Sequence, residues 1–180
     1  RQGRARVQLW LDEPALPAVL HGEIPTSSGL GRIAAVDEPV AQAALARVVD
    51  AVHGAEADAV VHVCAARPPY DLLRRSGFDA VSVDLLLHDE RDDDAVGELL
   101  EGGARLVAGV LPTSPPLSDV HASVEVVRDL GHRLGHDPDA TARRVLVSPA
   151  CGLGLSAPDH VRAVLRALPA VGRGLRDEEA

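Results

Sequence analysis

Five residues whose side chains can bind metals or handle protons fall at or near the ends of apolar runs, and their spacing invites a chemical reading. His62 and Cys64 stand two apart in a Val-rich run. Residues i and i+2 of a strand point the same way. Cys151 follows another such run, in Ser148-Pro149-Ala150-Cys151-Gly152-Leu153. Asp84 closes a third run and Asp12 a fourth. Two thiolates, an imidazole and an oxygen donor make a tetrahedral zinc set. A zinc site with one replaceable ligand can take in a substrate sulfur, lower its pKa and present it as the nucleophilic thiolate. The plainer reading is that cysteine is among the most buried residue types and is common in Val-rich sheets. A lone His-x-Cys is a weak signal. Asp12, just ahead of Glu13-Pro14, also suits a turn or capping residue.

Whether these residues meet depends on the elements that carry them. Runs at 6–11, 59–65, 80–86, 106–111 and 145–148 read as strands, short and rich in Val and Leu. Near-continuous apolar runs suit strands buried on both faces, as in parallel sheets. Helices are expected between them. The segment 38–53 has Asp37 as N-cap, Pro39 in its first turn and a stripe of Val40, Ala44, Val48 and Val52. Segments 69–76 and 93–101 end at Gly77 and at Gly102-Gly103. Segment 118–134 ends at Gly135, and 156–176 starts with Ser156 as cap and meets Pro169 inside. Strand and helix alternate throughout, so the fold class is α/β with a mainly parallel sheet. A doubly wound sheet and part of a (β/α)8 barrel both fit. In a barrel the C-terminal strand ends meet at one mouth, which would gather Asp12, His62, Cys64, Asp84 and Cys151.

The 180 residues are the size of one domain. Hydrophobic residues make up 46% and charged residues 25%, as in globular chains. Trp10, Tyr70 and Phe78 are the only aromatics, so Val, Leu and Ala must build the core. All 18 cations are arginines, against 27 carboxylates, for a formal charge of −9. With no basic cluster and no aromatic platform, a nucleic-acid partner is not expected. No apolar run approaches the ~20 residues of a membrane span, so no membrane partner is expected either. Two cysteines are too few for a disulfide scaffold, and a cytoplasmic setting is expected. Gly29-Leu30-Gly31 is too short and misplaced for a dinucleotide loop. The acidic stretch 89–94 reads as a solvated helix entry. The chain starts without Met at what looks like a mid-domain strand, which suggests a piece of a longer protein.

Taken together, these segments resemble a known family. His62-Val63-Cys64, Ala80-Val81-Ser82-Val83-Asp84 and Ser148-Pro149-Ala150-Cys151-Gly152-Leu153 look like the zinc segments of the catalytic domain of cobalamin-independent methionine synthase. Leu11-Asp12-Glu13-Pro14-Ala15-Leu16 looks like its homocysteine-binding strand end. The four segments occur in the same order and at similar separations, over about residues 7–175. The resemblance implies a (β/α)8 TIM barrel, with this chain as a single domain over 1–180 supplying about strands 4 to 8. Strands 1 to 3 would precede it, so a missing barrel half or self-association is implied. It implies His62, Cys64 and Cys151 as zinc ligands. Asp84 stands where the family has a ligand glutamate, one methylene longer. Asp12 would hold the amino group of homocysteine. No catalytic residue beyond the metal site is implied.

Two positions depart from the family. Ala18 stands where the family has a pterin-contacting glutamate, and residues 111–116 lack the family's proton-donor histidine. The acceptor side and the metal are kept while the folate side is altered. The expected function is therefore zinc-dependent methyl transfer to homocysteine or another small thiol, from methyltetrahydrofolate or a methyl-corrinoid. Two other readings compete. One is a metal-free enzyme resembling uroporphyrinogen decarboxylase, with Arg67 and Arg105 facing propionates. The other is a non-catalytic barrel fragment acting as a structural module. His88 and Glu90 could substitute for Asp84 as ligands but are expected on the loop beyond the third of these strands, His121 is not given a role, and His21, His53, His132, His136 and His160 read as surface or structural.

Overall fold

A computed structural model describes residues 6–176. Residues 1–5 and 177–180 of the expected domain lie outside the described residues. Five strands form one sheet: β1 Gln8–Asp12, β2 Asp58–Val63, β3 Ala80–Asp84, β4 Arg105–Leu111 and β5 Val145–Pro149. All neighbours pair parallel, in the order β1-β2-β3-β4-β5. A doubly wound sheet reverses its strand order at a switch point. This one never does, so it is singly wound, as in a TIM-barrel-like fragment.

Single winding places the helices on one face. The helices are α1 Leu16–Leu20, α2 Glu38–Gly54, α3 Tyr70–Arg75, α4 Asp93–Glu101, α5 Val120–Arg133, α6 Pro138–Arg144 and α7 Pro158–Gly174. Val61, Val63, Val81, Val83, Leu106, Ala108 and Val110 point towards them. They form one core with Leu45 and Val49 of α2, Leu73 of α3, Leu99 of α4, Val127 of α5 and Val164 of α7. Each fully buried Val or Leu contributes roughly 1.5–3 kcal/mol. Strand residues of the opposite parity face away from the helices, where Val60, Ala80 and Val107 make a small separate cluster.

That second face is concave. A flat sheet would set β1 and β5 about 19 Å apart. Instead Trp10 of β1 walls a single cavity of about 350 Å³ together with Leu146 and Ser148 of β5. The central strands are buried on both faces, as their apolar runs predict, but the two edge strands are not.

Most expected helices form, with three differences. The buried stripe of α2 is Ala41, Leu45, Val49 and Val52; it shares Val52 with the expected stripe and otherwise lies one row over. That helix is apolar in two adjacent rows, and the sheet takes the row with the bulky Leu45. Val40 and Val48 face outward, and Val48 joins Val7 and Leu9 in lining an apolar groove of about 740 Å³ beside the open β1 edge. Two helices escape the sequence pattern. α1 is only five residues long. α6 has no apolar stripe; it is set by Asp137, whose side chain accepts from Ala140 N at 2.6 Å, and by Pro138 in its first turn. Finally, Ala157 rather than Ser156 occupies the N-cap of α7. Ser156 Oγ donates instead to Thr113 O at 2.6 Å, and Pro169 is accommodated within the helix.

Candidate metal centre

The site is built from strand register. Asp12 of β1, His62 of β2 and Ser82 of β3 stand side by side, each the Cα partner of the next. Register partners in a sheet send their side chains to the same face, here the concave one. Two residues further along, Cys64 leaves the end of β2 towards that same face.

Cys151 arrives from the far edge of the sheet. In a flat sheet, three strand spacings of about 14 Å would separate β2 from β5. Curling shortens the gap, and a close backbone crossing closes it. The chain leaving β5 folds over β4, where Ala150 N donates to Leu111 O at 2.8 Å. It passes directly over Gly109, where the β4–β5 register shifts. A Cβ at Gly109 would lie 2.6 Å from Ala150 Cα and 2.7 Å from Val83 O. Only glycine permits that crossing. Sequence reasoning did not find Gly109; its one signal is a glycine inside an apolar strand.

The result is a three-donor cluster. The ligand atoms of His62, Cys64 and Cys151 all lie within 4.8 Å of one another. His62 Nε2 is 3.5 Å from Cys151 Sγ, and the two sulfurs are 3.2 Å apart, sharing a hydrogen bond. His62 Nδ1 is 2.9 Å from Ser82 Oγ. Tetrahedral zinc, with Zn–S near 2.3 Å and Zn–N near 2.0 Å, sets its donors about 3.5–3.8 Å apart. The nitrogen–sulfur distance matches, and the sulfurs need to part by only about 0.5 Å. Two thiols and an imidazole are also the soft and borderline donors that zinc selects. The residues present fit zinc.

Burial pushes the Cys64 thiol up to about 11, and the hydrogen bond and charge of Cys151 push in the same direction. Two unshielded thiolates at this distance repel, which is the electrostatic situation a dication relieves.

Asp84 ends β3 but lies outside the three-donor group. Its Oδ1 accepts from Leu86 N at 3.0 Å and caps the 3-10 turn Leu85–Leu87. Burial pushes its carboxyl up, opposed by the Leu86 N–H and the neighbouring His62. Asp12 lines a cavity of about 410 Å³ that also has Trp10, His62, Ser82, Ser148 and Cys151 in its wall. Its neighbour Glu13 is raised by burial and by the Asp12 charge.

Other polar residues are engaged elsewhere. His88 Nε2 pairs with Asp93 at 2.6 Å, and His160 Nε2 donates to Pro112 O at 2.9 Å. His53 pairs with Asp79 at the opposite end of the sheet. Arg105 lies at that end too, 3.8 Å from Asp58, which also pairs with Arg6. It is therefore remote from the cavity around Asp12.

Comparison with known proteins follows the same outline. The family described as the catalytic domain of cobalamin-independent synthase matches residues 3–173. The chain belongs to this family. Its membership covers all four segments of the concave face, from Asp12 to Cys151, and identifies a methionine-synthase-like catalytic domain. No curated protein sequence matches significantly. Among solved structures, a dihydropteroate synthase from Xanthomonas albilineans is similar, in a complex with indole-2-carboxylic acid and 6-chloroguanine. It is 20% identical with a TM-score of 0.52, over 93% of this chain and 69% of that one. A likeness at that level is one of fold alone. No helix among the described residues is long and apolar enough to cross a membrane.

Proposed function

We propose that this synthase-family chain is the zinc-bearing, thiol-activating part of a cytoplasmic methyltransferase, with homocysteine as acceptor and methionine as product. One observation carries the reading. His62 and Cys64 stand at the end of one strand and Cys151 lies 87 positions after Cys64, yet their donor atoms converge within 4.8 Å at the C-terminal end of a parallel sheet. That is where such folds place their chemistry.

His62, Cys64 and Cys151 would hold the metal, beside the cavity that Asp12 lines. When bound, zinc supplies the Lewis acidity that lets an incoming thiol lose its proton and react as a thiolate. Asp12 offers a carboxylate to the ammonium group of the amino-acid acceptor. Trp10 and Ser148 wall the space in which the acceptor lies. Asp84 would supply the oxygen donor, through a bridging water where its side chain, one methylene shorter than the family's glutamate, falls short. In the transfer, the acceptor sulfur forms a bond to the methyl carbon as the donor–methyl bond breaks. The electron pair stays on the donor. With Ala18 in α1 and no histidine at 111–116, this chain offers little to a pterin. A methyl-corrinoid is therefore the donor to try beside methyltetrahydrofolate.

The five strands correspond to about strands 4 to 8 of a (β/α)8 barrel. Five strands do not close such a barrel. The open β1 edge and the groove at Val7, Leu9 and Val48 are where the remaining strands and helices, or a second copy, would join.

X-ray absorption at the zinc edge tests the acceptor step. Adding homocysteine is expected to raise the sulfur neighbours of zinc from about two to about three. An unchanged sulfur count, with no methionine formed from either donor, would overturn the proposal.

A further inference from the structure

His62 can serve a metal through only one of its two nitrogens, and the two face different partners. Neutral imidazole carries one N–H, and the nitrogen that binds a metal must be the other. Nε2 faces Cys151 Sγ at 3.5 Å, while Nδ1 lies 2.9 Å from Ser82 Oγ. Ser82 is the register partner of His62 on the adjacent strand, so the two side chains leave the concave face opposite each other. Ser82 is 2% exposed, which keeps bulk water from competing for that nitrogen. We propose that Ser82 is a positioning residue for the metal site: its hydroxyl accepts the Nδ1–H of His62, fixes the ring and turns the Nε2 lone pair towards Cys64 and Cys151. The inference rests on the zinc reading above and deepens it.

The choice of serine bears on the kind of site. Metal-binding histidines commonly lean on a carboxylate, a backbone carbonyl or water. A carboxylate here would add a negative charge beside two thiolates. A hydroxyl adds none, so it holds the ring without adding to the charge that the two thiolates and the nearby carboxylates of Asp12 and Asp84 already bring.

The test begins with the wild-type chain loaded with cadmium-113 and nitrogen-15 histidine. Metal–nitrogen coupling is expected at Nε2 of His62, with Nδ1 bearing the proton. Coupling at Nδ1 would overturn the proposal whatever a variant does. In the second arm, Ser82→Ala is compared with wild type in competition with a chromophoric zinc chelator. A loss of affinity of about 10–100-fold is expected, with an unchanged circular dichroism spectrum. A folded Ser82→Ala protein that binds zinc within about twofold of wild type would overturn the role of Ser82 and leave the zinc reading standing. A wild-type chain that binds neither metal would overturn both, before any variant is made.

Discussion

The two faces of the sheet are built on opposite rules. On the convex face the strand residues are Val, Leu and Ala; Val61, Val81, Leu106 and Val110 are 0% exposed, sealed under helices. On the concave face, the same strands carry Asp12, His62, Ser82, Asp84 and Ser148, and large apolar groups stand open, with Trp10 49% and Leu146 45% exposed. One parity of each strand holds the fold and the other presents chemistry. The lesson is that stability and function here are separable by residue parity, so substitutions one position apart should fail in different ways.

The convex side should show the larger effect on stability. Leu99→Ala removes a fully buried side chain of α4 and should cost about 2–5 kcal/mol in denaturant unfolding. If the faces are independent, the protein that remains folded still takes up zinc as wild type does. Gly109→Ala sharpens the comparison, because Gly109 belongs to the concave face yet packs against backbone. Its new Cβ must push Ala150 or Val83 away, costing about 1–3 kcal/mol and displacing Cys151. Unlike Leu99→Ala, it should weaken zinc uptake in the folded fraction, measured by chelator competition. A Gly109→Ala protein with wild-type zinc affinity would show that the crossing does not position Cys151.

The smallest effect concerns pH and lies on the convex side. Burial alone would raise Asp93, but hydrogen bonds from Arg133 at 2.7 Å and from His88 outweigh it and hold its carboxyl below the ordinary 3.8. A folded-state pKa below the unfolded value gives stability that is fully present above 3.8 and is lost as pH falls through the lowered value. The stability difference between wild type and Asp93→Asn should therefore be constant near neutrality and shrink only in acid. A difference that instead vanished between pH 5 and pH 8 would contradict this assignment to Asp93. Zinc affinity should also rise with pH but in a higher window, through neutrality, because Cys64, a neutral thiol near neutrality, must give up its proton to bind.

Much of this was legible in the sequence, for reasons that also mark where legibility stops. The Val and Leu runs located all five strands, and for β2, β3 and β4 the reason is that a strand buried on both faces has few other compositions. His62 and Cys64 could be paired from parity alone, since i and i+2 share a face. Their meeting with Cys151, 87 positions after Cys64, needed the barrel alternative, in which the C-terminal strand ends share one mouth, and the family resemblance favoured it. Ser82 and Gly109 were invisible as site residues. A serine among valines is ordinary until the register places it opposite His62. A strand glycine is ordinary until a backbone crosses it. α6 escaped because its sequence, PDATARR, has no apolar stripe and is held by a cap and by Thr141 against Gly131. In α2 the amphipathic rule found the helix but not its buried row, because two neighbouring rows are apolar.

The central claim is that the concave strand ends hold zinc, and elemental analysis tests it most directly. Zinc per chain would be measured on purified wild type, on Cys151→Ser and on the convex control Leu99→Ala. The account predicts about one zinc in wild type and in the control, and almost none in a Cys151→Ser protein that remains folded. A folded wild type without zinc, or a Cys151→Ser protein that keeps it, would contradict the account and return both cysteines to the core.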